Sequence, residues 1–135
     1  MYKLFMLLAL VASASTQAAD LTVRFTGIGE AKGQIRVALY ASEEDYGKWV
    51  AFRNAVIPAS KLATVTFTDL PKARYVVSAY QDKNDNGELD KALFGIPTEP
   101  YGFSLNPFSR LGPPPFDKAA LTLEAEKQET DLDLE

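Results

Sequence analysis

The segment Tyr75-Val76-Val77-Ser78-Ala79-Tyr80-Gln81 decides how this chain is built. Paired valines between tyrosines favour extended backbone. In a strand successive side chains point opposite ways, so Tyr75, Val77 and Ala79 share one face while Val76, Ser78 and Tyr80 share the other. Both faces are partly apolar, which predicts a central strand rather than an edge. Simpler alternation surrounds it. Leu21, Val23 and Phe25 alternate with Thr22, Arg24 and Thr26. Ile35, Val37 and Leu39 occupy the inward positions of a second strand, and Gly27, Gly29 and Gly33 punctuate the interval. These two strands are expected to pair as an antiparallel hairpin.

Further along, residues 55–58 read as a short strand and residues 63–68 as another, with Val65 and Phe67 inward. A turn is predicted over residues 69–74, with Pro71 supplying a fixed φ. Leu121 and Leu123, then Leu132 and Leu134, predict a closing hairpin that turns near Lys127. Ser42 followed by Glu43, Glu44 and Asp45 is an N-cap with acidic residues suited to a helix N-terminus. One or two helical turns should follow and pack Trp49 against a sheet edge or the sandwich end, since Tyr46, Trp49, Val50 and Phe52 fall near helical spacing; a ligand-stacking platform is the alternative reading of Trp49. The fold class is therefore all-β: a single antiparallel β-sandwich of about seven strands, with one short helical turn and a long ordered loop.

The 135 residues have room for one domain. Residues 1–19 read as a secretory signal peptide, with Lys3 before an apolar run from Leu4 to Val11 and small residues leading to cleavage after Ala18 or Ala19. The run is shorter than the roughly 18–20 apolar residues of a spanning helix. The domain is then residues 20–135, periplasmic or secreted and not membrane-spanning once the leader is gone. Removing Lys3 takes the net charge from −4 to −5. Basic residues are scattered, which argues against nucleic acid as a partner. The chain has no cysteine and no histidine. Disulfides, thiol chemistry, Ser-His-Asp catalysis and histidine-based metal sites are excluded with them.

The long loop over residues 82–117 carries the candidate site. Oxygen-bearing side chains recur at alternate positions: Asp82, Asn84 and Asn86, then Gly87, Glu88 and Asp90. A hard cation such as Ca²⁺ takes about six to eight oxygens, and alternate spacing lets one tight turn wrap them around a point. Asp82, Asn84 and Asn86 match positions one, three and five of an EF-hand loop, Gly87 position six, the Glu88 carbonyl position seven and Asp90 position nine. Position twelve is Leu93, not the usual glutamate. Glu99 is the candidate for the missing carboxylate if Gly95 and Pro97 turn the chain back. A plain hairpin turn at Asn86-Gly87 is the simpler alternative.

The runs Asp82-Lys83-Asn84-Asp85-Asn86-Gly87-Glu88-Leu89-Asp90, Phe94-Gly95-Ile96-Pro97-Thr98-Glu99-Pro100-Tyr101-Gly102-Phe103-Ser104 and Gly112-Pro113-Pro114-Pro115-Phe116-Asp117 resemble the family called domain of unknown function 2141. The resemblance spans essentially all of residues 20–135. It implies a small exported bacterial β-sandwich of immunoglobulin or transthyretin-like type, and it brings no activity or ligand. Gln81 is a departure, since similar sequences often carry histidine there.

The aromatics Phe94, Tyr101, Phe103, Phe108 and Phe116 are expected either to cap the open end of the sandwich or to form a recognition patch. The function read from these residues is an exported, non-enzymatic module with a Ca²⁺-stabilised loop. It would bind a ligand or an envelope protein through Tyr101, Phe103 and Phe108. One alternative is a structural or assembly subunit of the envelope. Another is a glycoside hydrolase using Glu99 with Asp117, or Asp90 with Glu99, as its carboxylate pair.

Overall fold

Alternating apolar residues form strands wherever the sequence shows them, but their partners differ from the simplest expectation. The computed structural model describes residues 18–91, 97–108 and 112–135. Residues 1–17 of the expected leader, and Leu93, Phe94 and Gly95 of the loop, lie outside the described residues. The element order is β1 (Ala18–Thr26), β2 (Gln34–Tyr40), α1 (Glu43–Gly47), β3 (Arg53–Pro58), β4 (Thr64–Pro71) and β5 (Arg74–Asp82). Then come β6 (Tyr101–Phe103), α2 (Phe116–Ala119), β7 (Leu121–Thr122) and β8 (Lys127–Asp133).

One sheet has the order β4-β1-β8, and the other β3-β2-β5-β6 with β7 also on β5. The main core lies between them. Leu21, Val23, Phe25, Phe67 and Leu132 from the first sheet meet Ile35, Val37, Leu39, Tyr75, Val77 and Ala79 from the second. The chain is thus an all-β sandwich, with eight strands and two short helices among the described residues. As anticipated, β5 is central, paired antiparallel with β2 on one side and with β6 and β7 on the other.

Two expected hairpins are not formed. β1 and β2 lie in different sheets, so the glycine-rich stretch between them crosses from sheet to sheet. The closing pair is also absent: β7 joins β5, whereas β8 runs parallel to β1 from Asp20↔Lys127 to Thr26↔Asp133. This parallel pair departs from a wholly antiparallel sandwich. Alternation fixes which side chains point inward, and does so equally for either partner or direction. The turn predicted over residues 69–74 is tighter than expected, because β4 continues to Pro71 and pairs it with Ala18.

The helix is where its cap residues place it. Ser42 Oγ accepts the Asp45 N–H at 3.1 Å. At the other end Trp49 N–H reaches Tyr46 O and Val50 N–H reaches Asp45 O, the paired bonds of a Schellman ending. Trp49 therefore sits at φ 55 in the position that glycine normally fills. A left-handed conformation costs a side-chain-bearing residue about 1–2 kcal/mol.

A second, smaller core lies on the outer face of the five-stranded sheet. Tyr40, Val76 and Phe103 on the strands pack with Tyr46 of α1 and with Phe116, Ala119 and Ala120 around α2. Here Phe103 and Phe116 cover a sheet face rather than the end of the sandwich, correcting the capping expectation. Burial pushes the Tyr46 phenol up to about 12, with Tyr40 adding to it. The phenol donates to Pro114 O at 2.7 Å, tying the proline run to α1. Gly102 lets β6 approach β8, since a Cβ there would stand 2.1 Å from Asp133 O.

Candidate functional site

β5 ends at Asp82, and the chain turns at once. Five of the six predicted cation-site residues meet through their side chains in this turn, and Glu88 enters through its N–H. Asp82 is fully buried and accepts Gly87 N–H at 2.8 Å and Asn86 N–H at 3.2 Å. It also accepts Arg36 Nε–H at 2.8 Å, an ion pair between β2 and the loop. Burial alone would raise the Asp82 carboxyl. The Arg36 hydrogen bond, then those from Gly87 and Asn86, outweigh it and hold the group below its ordinary value.

The asparagine amides close the centre of the turn. Asn84 Nδ2 and Asn86 Nδ2 both donate to the Asp90 carboxylate, the latter at 2.6 Å. Their own oxygens accept backbone N–H groups of Asn86 and Glu88. Glu99 returns to the loop, as the sequence anticipated, with Lys91 and Pro97 bridged beneath it. Its two oxygens accept Lys83 N–H at 2.7 Å and Asp90 N–H at 2.9 Å, and it is buried. Glu99 thus clamps both ends of the turn. Replacing Glu99 by glutamine turns one acceptor into a donor. Amide exchange at Lys83 and Asp90 should then accelerate by about tenfold, as hydrogen–deuterium exchange would measure.

The oxygen donors are of the hard type that Ca²⁺ prefers. To present both asparagine oxygens toward Asp90, the two amides would have to turn over, replacing the nitrogens that now donate to that carboxylate with a cation. Among the described residues no three carboxylates gather into a cluster placed to hold a metal ion. Asp117, suggested as a partner of Glu99, is exposed on α2 and pairs with Arg74 at 3.2 Å.

Gln81 points to the opposite face of β5 from Asp82. It is buried, and its Nε2 donates to Glu30 O and Lys32 O at 2.6 and 2.9 Å. It holds the crossing between the sheets, not the turn over residues 82–90.

Beside the turn, the outer face of the five-stranded sheet forms a groove of about 410 Å³, a volume typical of ligand sites. Strand register explains it. One row across the sheet reads Asn54, Ala38, Ser78 and Phe103, and the next reads Val56, Arg36, Tyr80 and Tyr101. Ala38 and Ser78 are small and adjacent, so the face sinks between them. Tyr40 and Trp49 form one side of the depression; Arg36 and Tyr80, with Leu89 of the turn, form the other. Trp49 is 53% exposed, its ring edge-on to Tyr40 and Tyr46. The sequence reading found Tyr101 and Phe103 but missed this row of small residues. The available signal was the outward set Arg36-Ala38-Tyr40, which can only be joined to Ser78-Tyr80 once the β2·β5 register is known.

A family model described as "Uncharacterized protein conserved in bacteria (DUF2141)" matches residues 23–131. The chain belongs to this family. The match runs from within β1 to within β8 and takes in both helices, the turn over residues 82–90 and the groove, so the site is built within the DUF2141 region. No curated protein and no solved structure matches the chain. Among the described residues of this DUF2141 protein no helix is long and apolar enough to cross a membrane.

Proposed function

We propose that this protein is an exported, non-enzymatic binding module. In this reading a hard cation, calcium first, braces the turn over residues 82–90, and the braced turn keeps the adjoining groove in shape for its ligand. One observation carries the reading: the Asp82 carboxylate holds the turn through Gly87 and Asn86 and the groove wall through Arg36. Anything that orders the turn orders that wall. Asp82, Asn84, Asn86, Asp90 and Glu99 would supply side-chain oxygens, and Glu88 its carbonyl. A docking role in the envelope draws on Phe108 and Leu105, which are 76% and 53% exposed.

Thermal unfolding in EGTA, calcium or magnesium tests the cation brace. A ligand bound by the folded state alone raises its stability by mass action. For a site with Kd of about 10⁻⁴–10⁻³ M, about 10 mM calcium should add roughly 1.4–2.7 kcal/mol, seen as a higher Tm. Magnesium, which dehydrates reluctantly, should add less. Identical melting in EGTA and calcium would refute the brace.

A further inference from the structure

The groove has a chemistry of its own, separate from the cation turn. Its floor is Ala38 and Ser78, side by side on neighbouring strands, so it admits a flat ring lying on the sheet. Its sides are aromatic: Tyr40 and Trp49 on one flank, Tyr80 and Tyr101 on the other, with Phe103 at one end. Aromatic faces carry partial negative charge and attract weakly positive C–H groups. The polar groups interleaved with them are the Asn54 amide, the Ser78 hydroxyl and the Arg36 guanidinium. Amide and guanidinium are planar and present paired hydrogen-bonding atoms, a match for adjacent hydroxyls on a ring. Among the described residues Arg36 is the one charged residue lining the groove, and Asp82 offsets it at 2.8 Å. The described lining therefore offers no uncompensated charge to an ionic ligand.

Trp49 adds an independent observation. It holds a left-handed backbone where glycine is favoured, and its ring is more than half exposed at the groove rim. Backbone strain of this kind is found where a side chain must be held for a ligand. The row from Asn54 to Phe103 also runs from one edge strand of the sheet to the other, so an extended ligand can lie across the strands.

From this we infer that the groove over Ala38 and Ser78 is a binding site for an uncharged saccharide, one or two sugar rings of a longer glycan stacked between Trp49 and Tyr80. The inference rests on the reading of the protein as a binding module and names the ligand class.

Trp49 is the single tryptophan, so its emission reports directly on the groove. The purified protein is titrated with cellobiose, maltose and N,N′-diacetylchitobiose, with digalacturonate as an anionic counterpart and an aromatic tripeptide as a protein-like competitor. At least one neutral disaccharide should shift Trp49 emission saturably below about 10 mM, with digalacturonate at least about tenfold weaker. Amide shifts should concentrate at Arg36, Ala38, Asn54, Ser78 and Tyr80. Ala38→Phe fills the floor and should weaken binding at least about tenfold while leaving the melting curve in place. If that variant does not fold, Trp49→Gly carries the test by NMR, since glycine suits the helix ending. No response to any neutral disaccharide overturns the inference, as does a response to digalacturonate or the tripeptide alone. Binding that persists in EGTA supports the saccharide site while removing the cation brace. Cleavage of the bound sugar supports the site and overturns the non-enzymatic reading.

Discussion

Gly33→Ala is expected to cost roughly 3–4 kcal/mol and to lower the urea midpoint accordingly. Gly33 stands at φ +72, just before β2, and a Cβ there would lie 2.0 Å from Asp82 O and 2.8 Å from Lys83 Cα. Both obstacles are backbone at the point where β5 passes into the turn over residues 82–90, and neither can swing aside as a flexible side chain would. Overpacking and left-handed strain therefore add. The variant should also loosen the turn itself, so exchange at Asn86 and Gly87 should rise along with the loss of global stability. A cost below about 1 kcal/mol would mean that the end of β5 yields freely, and the rigid junction would be wrong.

Asp82→Asn is the second large effect. The carboxylate accepts three donors and is fully buried. Asparagine keeps the size, loses the charge and aims an amide nitrogen at existing donors. A loss of about 2–3 kcal/mol at neutral pH follows from weakening hydrogen bonds to a charged group. Arg36 above it is 31% exposed, so solvent screens the ion pair in part and holds the figure to that range. The pH dependence gives a second check. The folded carboxyl titrates below its ordinary value because Arg36, Gly87 and Asn86 outweigh the burial that opposes them. Its stabilisation is fully present above the unfolded value, about pH 4, and is lost as pH falls through the lower folded value. The gap between wild type and Asp82→Asn should therefore be widest at neutral pH and narrow in acid. A gap that stays constant down to pH of about 2 would show that the charge contributes nothing.

Individual strands were legible in the sequence because alternation is a local signal. Leu21, Val23 and Phe25, and Ile35, Val37 and Leu39, face the core as read. The Ser42 cap and the central place of β5 were legible for the same reason. Pairing was not. The stretch between β1 and β2 looks like a hairpin turn, yet Gln81 inserts from β5 and holds Glu30 and Lys32 through their carbonyls. No pattern within the stretch itself announces a partner about fifty residues away.

The site divides in the same manner. The return of Glu99 was legible from the glycine and proline around it. Its role as a clamp on Lys83 and Asp90 N–H was not, because backbone donors leave no mark on composition. The groove depends on Ala38 and Ser78 becoming neighbours, and neither residue stands out alone. Trp49 was read as packing from its helical spacing. Its exposure follows from the Schellman ending at Lys48 and Trp49, which a bulky residue at that place gives little reason to expect.

The parallel seam of β1 with β8 has a consequence for how the molecule comes to exist. Residues Asp20 to Thr26 have no local partner: their neighbours in the sheet are β4, after two intervening strands, and β8, near the far end of the sequence. Every loop closed by these contacts is long, so chain entropy opposes them until late in folding. Synthesis must reach Lys127–Asp133 before the smaller sheet can be completed. Until then β1 has only β4 beside it, and the inner face of the larger sheet is incompletely covered.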